Sequence, residues 1–297
     1  MHIEPTSRCT LFCPACPRTW FTDQFNHPFP KQDLNINDLA SFLDCEAGKK
    51  IDHFLLNGNH GDPIYYPQLF ELIDRFRDTK YFKISTNGSH QTQKFWEKLA
   101  GALTKDDTIY FSIDGLEHSN HLYRKNSNWE SIMAGLDIML KSPARVVWKT
   151  LFFSYNANEM DAIKKMAEDK GAIFVVESTS RFGDDQLRPA NEQLIDVSRF
   201  YEKNIHVEQL APQCETQQYI SADGYLWPCC WISSVYTLHK TELWKNRSMW
   251  SIKGKTLDQV QVTLKEFKQT VLDNPSNAHP VCKMNCKPGQ KFVWATS

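Results

Sequence analysis

Nine cysteines stand in this chain, and they are grouped. Cys9, Cys13 and Cys16 form a CxxxCxxC run near the start. Cys214, Cys229, Cys230, Cys282 and Cys286 fall in the last third, and Cys45 stands alone. Scattered core cysteines would not cluster this way, and an odd count cannot pair completely as disulfides. Thiolates are soft ligands for iron and zinc. Three on one short loop can take three irons of a [4Fe–4S] cluster, which leaves the fourth iron open to a substrate or cofactor. A zinc site is the alternative, but structural zinc asks for four closed ligands, usually paired as CxxC. His2 or His27 would have to complete it. Cys214, Cys229, Cys282 and Cys286 suit a fully ligated cluster or a structural zinc equally well.

The elements that position these thiols are legible in the hydrophobic pattern. Residues 51–57, 81–86, 107–113, 145–153 and 172–177 are rich in Ile, Val, Phe or Tyr and are predicted strands. A first strand precedes Ser7. Between them lie apolar helix faces: Leu69, Phe70, Ile73 and Phe76; Ile132, Met133, Leu136, Met139 and Leu140; and Met160, Ile163, Met166 and Ala167. Segments 34–46 and 90–102 are weaker helices, and another is expected over roughly 190–203. Strand and helix alternate about six times, which predicts an α/β chain with a parallel sheet and crossover helices. Ligands in such folds sit in the loops after the strands. The rhythm changes near residue 205. The remainder is rich in Trp and Cys, with one clear helix at about 256–272, and a metal centre would supply stability that so loose a segment lacks. The expected organisation is a domain over residues 1–204 and a smaller one over 205–297.

Glu4-Pro5-Thr6-Ser7-Arg8-Cys9-Thr10-Leu11-Phe12-Cys13-Pro14-Ala15-Cys16-Pro17-Arg18 resembles the opening of radical S-adenosylmethionine enzymes, in particular those with a C-terminal SPASM or twitch extension. The resemblance implies a partial (βα)6 TIM-like barrel with a small C-terminal iron–sulfur domain. It also implies that Cys9, Cys13 and Cys16 hold a [4Fe–4S] cluster whose open iron chelates S-adenosylmethionine. One electron then cleaves the sulfonium to a 5′-deoxyadenosyl radical that abstracts hydrogen from substrate. Ala15 departs from the common pattern, in which an aromatic residue packs on the adenine. Three further segments follow the family at successive strand ends. Gly61-Asp62-Pro63 resembles the GGEP motif, whose backbone and acid would receive the methionine ammonium. Ser85-Thr86-Asn87-Gly88 resembles the TNG segment, and by this resemblance Thr86 and Asn87 line the cofactor site. Ser112-Ile113-Asp114-Gly115, followed by His121 and Arg124, is similar to a SPASM stretch in which Ser112, Asp114 and Arg124 would attend the cofactor's ribose or carboxylate. Taken singly, each segment also reads as an ordinary turn or cap.

Cys214, nine residues, Gly224, four residues and Cys229 match the Cx9–15Gx4C signature of SPASM and twitch domains, and Cys282 and Cys286 complete four. Ala222-Asp223-Gly224-Tyr225-Leu226-Trp227-Pro228 reads as a hairpin turning at Gly224. A full SPASM domain carries about seven cysteines and two auxiliary clusters, so one auxiliary [4Fe–4S] is implied here. Cys230 follows Cys229 directly. In relatives the residue there can face the active site, and a thiol there would give hydrogen to a carbon radical. The alternatives are packing, or Cys230 as ligand in place of Cys229. Cys45 is a core residue or a rival donor.

With 34 basic and 35 acidic residues the net charge is -1, which argues against duplex nucleic acid or an anionic membrane as partner. No apolar run of about 18 residues exists to span a membrane. Residues 1–5 lack a signal peptide's basic and apolar regions, which implies a cytoplasmic, reducing setting. The expected activity is hydrogen abstraction from a polar small molecule, ending in epimerisation or dehydrogenation, with a flavodoxin or ferredoxin as electron donor. Modification of a ribosomal peptide is the alternative within the enzyme class. With the motif starting at residue 9, no peptide-recognition domain is expected before it, which lowers the peptide reading without excluding it. A zinc-bound interaction module without catalysis is the alternative outside that class. Glu177 and Arg181, after the sixth strand, are candidate substrate contacts.

Overall fold

The computed structural model describes residues 1–177, 187–188, 214, 218–233, 238 and 241–286. Six parallel strands run through residues 2–177: β1 (His2–Ile3), β2 (His53–Leu56), β3 (Tyr81–Thr86), β4 (Thr108–Ser112), β5 (Arg145–Leu151) and β6 (Ile173–Glu177). A hairpin of β7 (Tyr219–Ile220) and β8 (Leu226–Trp227) follows. The sheet order is β6-β5-β4-β3-β2-β1-β7-β8, so the hairpin extends the barrel sheet at its β1 edge. The strand–helix alternation is as the sequence pattern predicts, and the partial barrel is as the family resemblance implies.

Alternation along the strands creates two unlike faces. Phe54 and Leu56 sit in register with Phe82 and Ile84, and Ile109 and Phe111 with Val146 and Trp148. All of these are buried. They are covered by α4 (Leu69–Phe76), α5 (Gln93–Ala102), α7 (Trp129–Met139) and α8 (Met160–Lys170), counted after α1 (Pro17–Phe25), α2 (Ile36–Leu43), α3 (Glu46–Lys49) and α6 (Asn120–Tyr123). On the opposite face Ser85 pairs with Tyr110, and Ser112 with Lys149. Polar side chains therefore line the inside of the barrel.

The helix α1 is not legible in the hydrophobic pattern. Its Pro17-Arg18-Thr19-Trp20-Phe21 run has no apolar face, and Pro17 is its only buried residue. It starts where it does because Cys16 is extended and Pro17 fits the first helical position. In the C-terminal segment Gly224 takes φ +79° at the hairpin turn, a conformation that other residues enter at a cost. Trp227 stacks with Trp244 and Trp250. After α9 (Glu242–Lys245), the long α10 (Leu257–Asp273) opens on a Thr256/Gln259 capping box and buries Leu257, Val260, Leu264 and Val271. A last helix, α11 (Pro280–Asn285), carries Cys282. The expected helix over 190–203, the boundary near 205 and Arg181 lie outside the described residues. Among the described residues no helix is long and apolar enough to cross a membrane.

Candidate active site

The loop after β1 brings its three thiols into one small apolar cluster. Leu11, Cys13, Tyr123 and Phe153 form its buried part, with Cys9, Ala15 and Cys16 packed against it. Its backbone is held from outside: Phe12 N–H donates to the Lys125 carbonyl at 3.0 Å, and Asn126 Nδ2 donates to the Thr10 carbonyl at 2.8 Å. Burial pushes the Cys9 thiol up to about 12, helped by the charge of Asp62, and burial pushes Cys13 up to about 11 despite the Arg124 cation. Thiols held protonated in this way ionise when a metal takes the proton's place, so loading this loop would release protons. Among the described residues no group of three or more His, Cys, Asp or Glu is disposed to hold a single metal ion. A four-iron cluster asks for something else, because each thiolate takes its own iron around the cube. The donor set of three thiols on an apolar floor fits such a cluster.

The loops after β2 and β3 meet over Asp62. Its Oδ2 accepts from Thr86 Oγ1 at 3.0 Å, from the Asn87 N–H at 2.7 Å and from Asn87 Nδ2 at 2.5 Å. Its Oδ1 accepts from the Ile64 N–H at 3.2 Å, opening the short 3-10 turn Pro63–Tyr65. Burial raises the Asp62 carboxyl to about 6 against these hydrogen bonds. Gly61 allows the loop to lie on the chain before Cys9, since a Cβ there would stand 1.8 Å from the Thr6 carbonyl oxygen. Gly61, Asp62, Pro63, Thr86 and Asn87 thus share one neighbourhood with Cys9.

After β4, Ser112 is buried at the strand end, and Asp114 is fully buried and paired with Arg124. Arg124 Nε donates to Asp114 Oδ2 at 2.5 Å, and the Leu151 N–H donates to Oδ1 at 2.7 Å. The guanidinium also lies 5.4 Å from the Tyr123 ring centre. Arg124 therefore has a structural partner in addition to any cofactor contact. Arg124→Ala would leave the Asp114 carboxylate buried without its cation, at a cost of about 3–5 kcal/mol in unfolding free energy. The paired change Arg124→Met with Asp114→Asn should recover most of that loss in denaturant titrations. If the double variant is no better than the single one, the pair is not the source of the effect.

Four thiols of the second cysteine group, Cys214, Cys229, Cys282 and Cys286, lie within electrostatic reach of one another. Burial pushes the Cys214 thiol up to about 12, helped by the charges of Cys229 and Cys286, and burial pushes Cys229 up to about 12, helped by Cys286. Cys282 is raised first by its hydrogen bond with Cys286, and then by burial and the other thiols. The helix α11 places Cys282 and Cys286 one turn apart, with the Cys286 N–H on the Cys282 carbonyl at 2.9 Å. Cys230 follows Cys229 directly in the chain. It is 6% exposed, its charge bears on Tyr219, and its carbonyl accepts from Asn59 Nδ2 at 2.7 Å, on the loop that carries Gly61 and Asp62. Cys45 packs against the core between α2 and α3, its Sγ 3.7 Å from the Phe42 carbonyl. Glu177 pairs with Lys149 at 3.4 Å inside the barrel.

One residue at the centre of this arrangement has no local signal. Glu4 is 1% exposed, and its carboxylate accepts from the N–H groups of His60 at 2.6 Å and Gly61 at 3.0 Å and from Tyr219 OH at 2.6 Å. It ties β1, the loop after β2 and the C-terminal hairpin together. The only hint in the sequence is a carboxylate directly following an apolar strand.

Residues 3–169 match the family model described as the Radical SAM superfamily, and the chain belongs to that family. Over 117 residues it is 26% identical to the tungsten-containing aldehyde ferredoxin oxidoreductase cofactor-modifying protein of Pyrococcus furiosus, a stretch covering 39% of this chain and 31% of that relative. The chain thus matches about a third of the length of this curated relative. Among solved structures, native anSMEcpe with bound AdoMet superposes with a TM-score of 0.62 at 15% identity, over 97% of this chain and 91% of the other. The same protein has been solved with a Cp18Cys peptide. BtrN in complex with AdoMet and 2-DOIA superposes with a TM-score of 0.52 at 11% identity, over 98% and 95% of the two chains. At these identities the structural likeness shows the fold.

Proposed function

We propose that this radical SAM enzyme abstracts hydrogen from a polar small molecule and ends in epimerisation or dehydrogenation. The observation that carries the reading is the meeting of three strand-end loops on the Cys9, Cys13 and Cys16 thiols inside a barrel with a polar lining. When bound at these thiols, a [4Fe–4S] cluster with S-adenosylmethionine supplies a 5′-deoxyadenosyl radical to the interior. In this reading Gly61, Asp62 and Pro63 shape the cofactor's amino-acid end. Thr86 and Asn87 hold Asp62, while Ser112, Asp114 and Arg124 line the side toward β4. Cys214, Cys229, Cys282 and Cys286 hold one auxiliary [4Fe–4S] cluster. The influence of Cys229 on Cys214 and Cys282 supports Cys229 as one of the ligands. The electron donor is a flavodoxin or ferredoxin in a cytoplasmic setting.

The reading of a small molecule rests on the polar pairs Ser85–Tyr110 and Ser112–Lys149 in the barrel, and on a length matching BtrN over 95% of that chain. A peptide substrate is the second reading, favoured by the closer superposition on anSMEcpe, which has been solved with a peptide. Zinc in place of iron would give a colourless protein, whereas the anaerobically reconstituted iron–sulfur form is brown and absorbs near ~400 nm.

Cys230 decides the outcome. As hydrogen donor it gives its S–H hydrogen atom to the substrate radical, and the thiyl left behind regains one electron, from the auxiliary cluster, and one proton from solvent. In deuterium oxide one product carbon should then carry deuterium. Cys230→Ala should still form 5′-deoxyadenosine but give little epimer. An oxidised product free of solvent deuterium, with turnover retained in the variant, would assign dehydrogenation instead. Loss of the auxiliary cluster in Cys230→Ala would make Cys230 the ligand.

A further inference from the structure

We infer that Asn87 is a positioning residue of the redox step: its side-chain amide is an aimed hydrogen-bond donor to the Cys9 sulfur and makes the cluster at Cys9, Cys13 and Cys16 easier to reduce. The inference rests on the proposed assignment of that cluster. It adds a role that binding of S-adenosylmethionine does not require.

The geometry leaves the amide little freedom. Asn87 is 5% exposed. Its Nδ2 donates to Asp62 Oδ2 at 2.5 Å and to Cys9 Sγ at 3.6 Å, and its Oδ1 accepts from the Ser89 N–H at 2.9 Å. Rotating the amide by half a turn would set its oxygen against a carboxylate and a sulfur, and its N–H groups against the Ser89 N–H. The neighbours therefore fix the orientation by their chemistry. Asp62 Oδ2 also receives the Asn87 backbone N–H and Thr86 Oγ1, so the carboxylate serves as the jig that turns the second amide hydrogen toward sulfur.

The consequence follows from charge. One-electron reduction of the cluster, by a low-potential protein donor or by dithionite, moves no atoms and places one more negative charge on iron and its sulfurs. A donor already aimed at one sulfur stabilises the reduced state more than the oxidised one. In a buried site this dipole is weakly screened and need not reorganise. Three of the amide's four hydrogen-bonding capacities are taken by Asp62, Cys9 and Ser89, which leaves one carbonyl lone pair for any contact with S-adenosylmethionine.

The test is a potentiometric titration of the reconstituted enzyme without S-adenosylmethionine, followed by electron paramagnetic resonance. The relevant signal is the one whose shape changes when S-adenosylmethionine is added afterwards. In Asn87→Ala and Asn87→Ser its midpoint should move to more negative potential. The expected change is about a tenfold lower ratio of reduced to oxidised cluster at fixed poise, which is ~59 mV for one electron. The auxiliary cluster is the internal control and should not move. In deuterium oxide the wild-type cluster should show coupling to an exchangeable deuteron that Asn87→Ser lacks, a readout that merely weakened folding would not mimic. A normal S-adenosylmethionine-sensitive signal with an unmoved midpoint, or no such deuteron in the wild type, overturns this inference alone. No such signal in the wild type overturns the assignment beneath it as well.

Discussion

Replacing Cys9, Cys13 and Cys16 together by alanine should abolish formation of 5′-deoxyadenosine. It should also lower the iron content of the reconstituted enzyme from about eight to about four per chain. The effect is all-or-none because removing three of three protein thiolates leaves the irons no anchor on the loop. The remaining iron reports on the other group. If it resists the triple change, Cys214, Cys229, Cys282 and Cys286 hold a separate centre, as proposed from their mutual influence. The fold around the loop should survive, since its backbone is held by Lys125 and Asn126 rather than by the thiols. Cleavage of S-adenosylmethionine by the triple variant would transfer the chemistry to the second group and overturn the assignment of both.

A loss of stability as large as that of Arg124→Ala is expected at Glu4. Glu4→Ala strands the N–H groups of His60 and Gly61 and the Tyr219 hydroxyl in the interior, at a cost of about 3–5 kcal/mol. Glu4→Gln keeps one acceptor for the two N–H groups and should cost about 1–2 kcal/mol. The pH dependence has a definite sign. Burial opposes the charged form of Glu4, but His60 and the hydrogen bonds from His60 and Tyr219 outweigh it and hold the carboxyl below its ordinary value. Its contribution is therefore complete above the unfolded carboxyl's value, near pH ~4.3, and is lost as pH falls through the native value. Urea titrations between about pH 6 and pH 3 should show a shallower acid decline in Glu4→Gln than in wild type. Parallel declines would show that Glu4 is not a source of acid sensitivity.

The parallel sheet was legible from residues because the strands' apolar runs are a local signal, whereas the partial barrel came from the family resemblance. Phe82 and Ile84, or Ile109 and Phe111, declare a buried face within five or six residues, and the register simply aligns those faces. The helix α1 was not legible, since a helix with one buried residue has no amphipathic period to detect. The loop motifs were also readable, because each is a short run fixed by turn chemistry at a strand end.

The sequence alone determined which groups could do chemistry here: three thiols on one loop, five more in the last third, and an acid, an amide and a cation following successive strands. Tertiary structure decided which of those groups meet. Asp62 and Asn87 are 25 residues apart, yet they share hydrogen bonds only because β2 and β3 are parallel neighbours. Cys229 and Cys230 are adjacent and chemically identical, and only the Gx4C spacing from Gly224 singles out Cys229 in the sequence. The hairpin's pairing with β1 sets Cys230 beside Tyr219 and the Asn59 loop, while Cys229 stands with Cys286. Glu4 gains its importance from partners at residues 60, 61 and 219, a span that no sequence window contains. Local pattern encodes an element's type and its buried face. The partners of a buried polar group are set by which strand ends the closing sheet brings together.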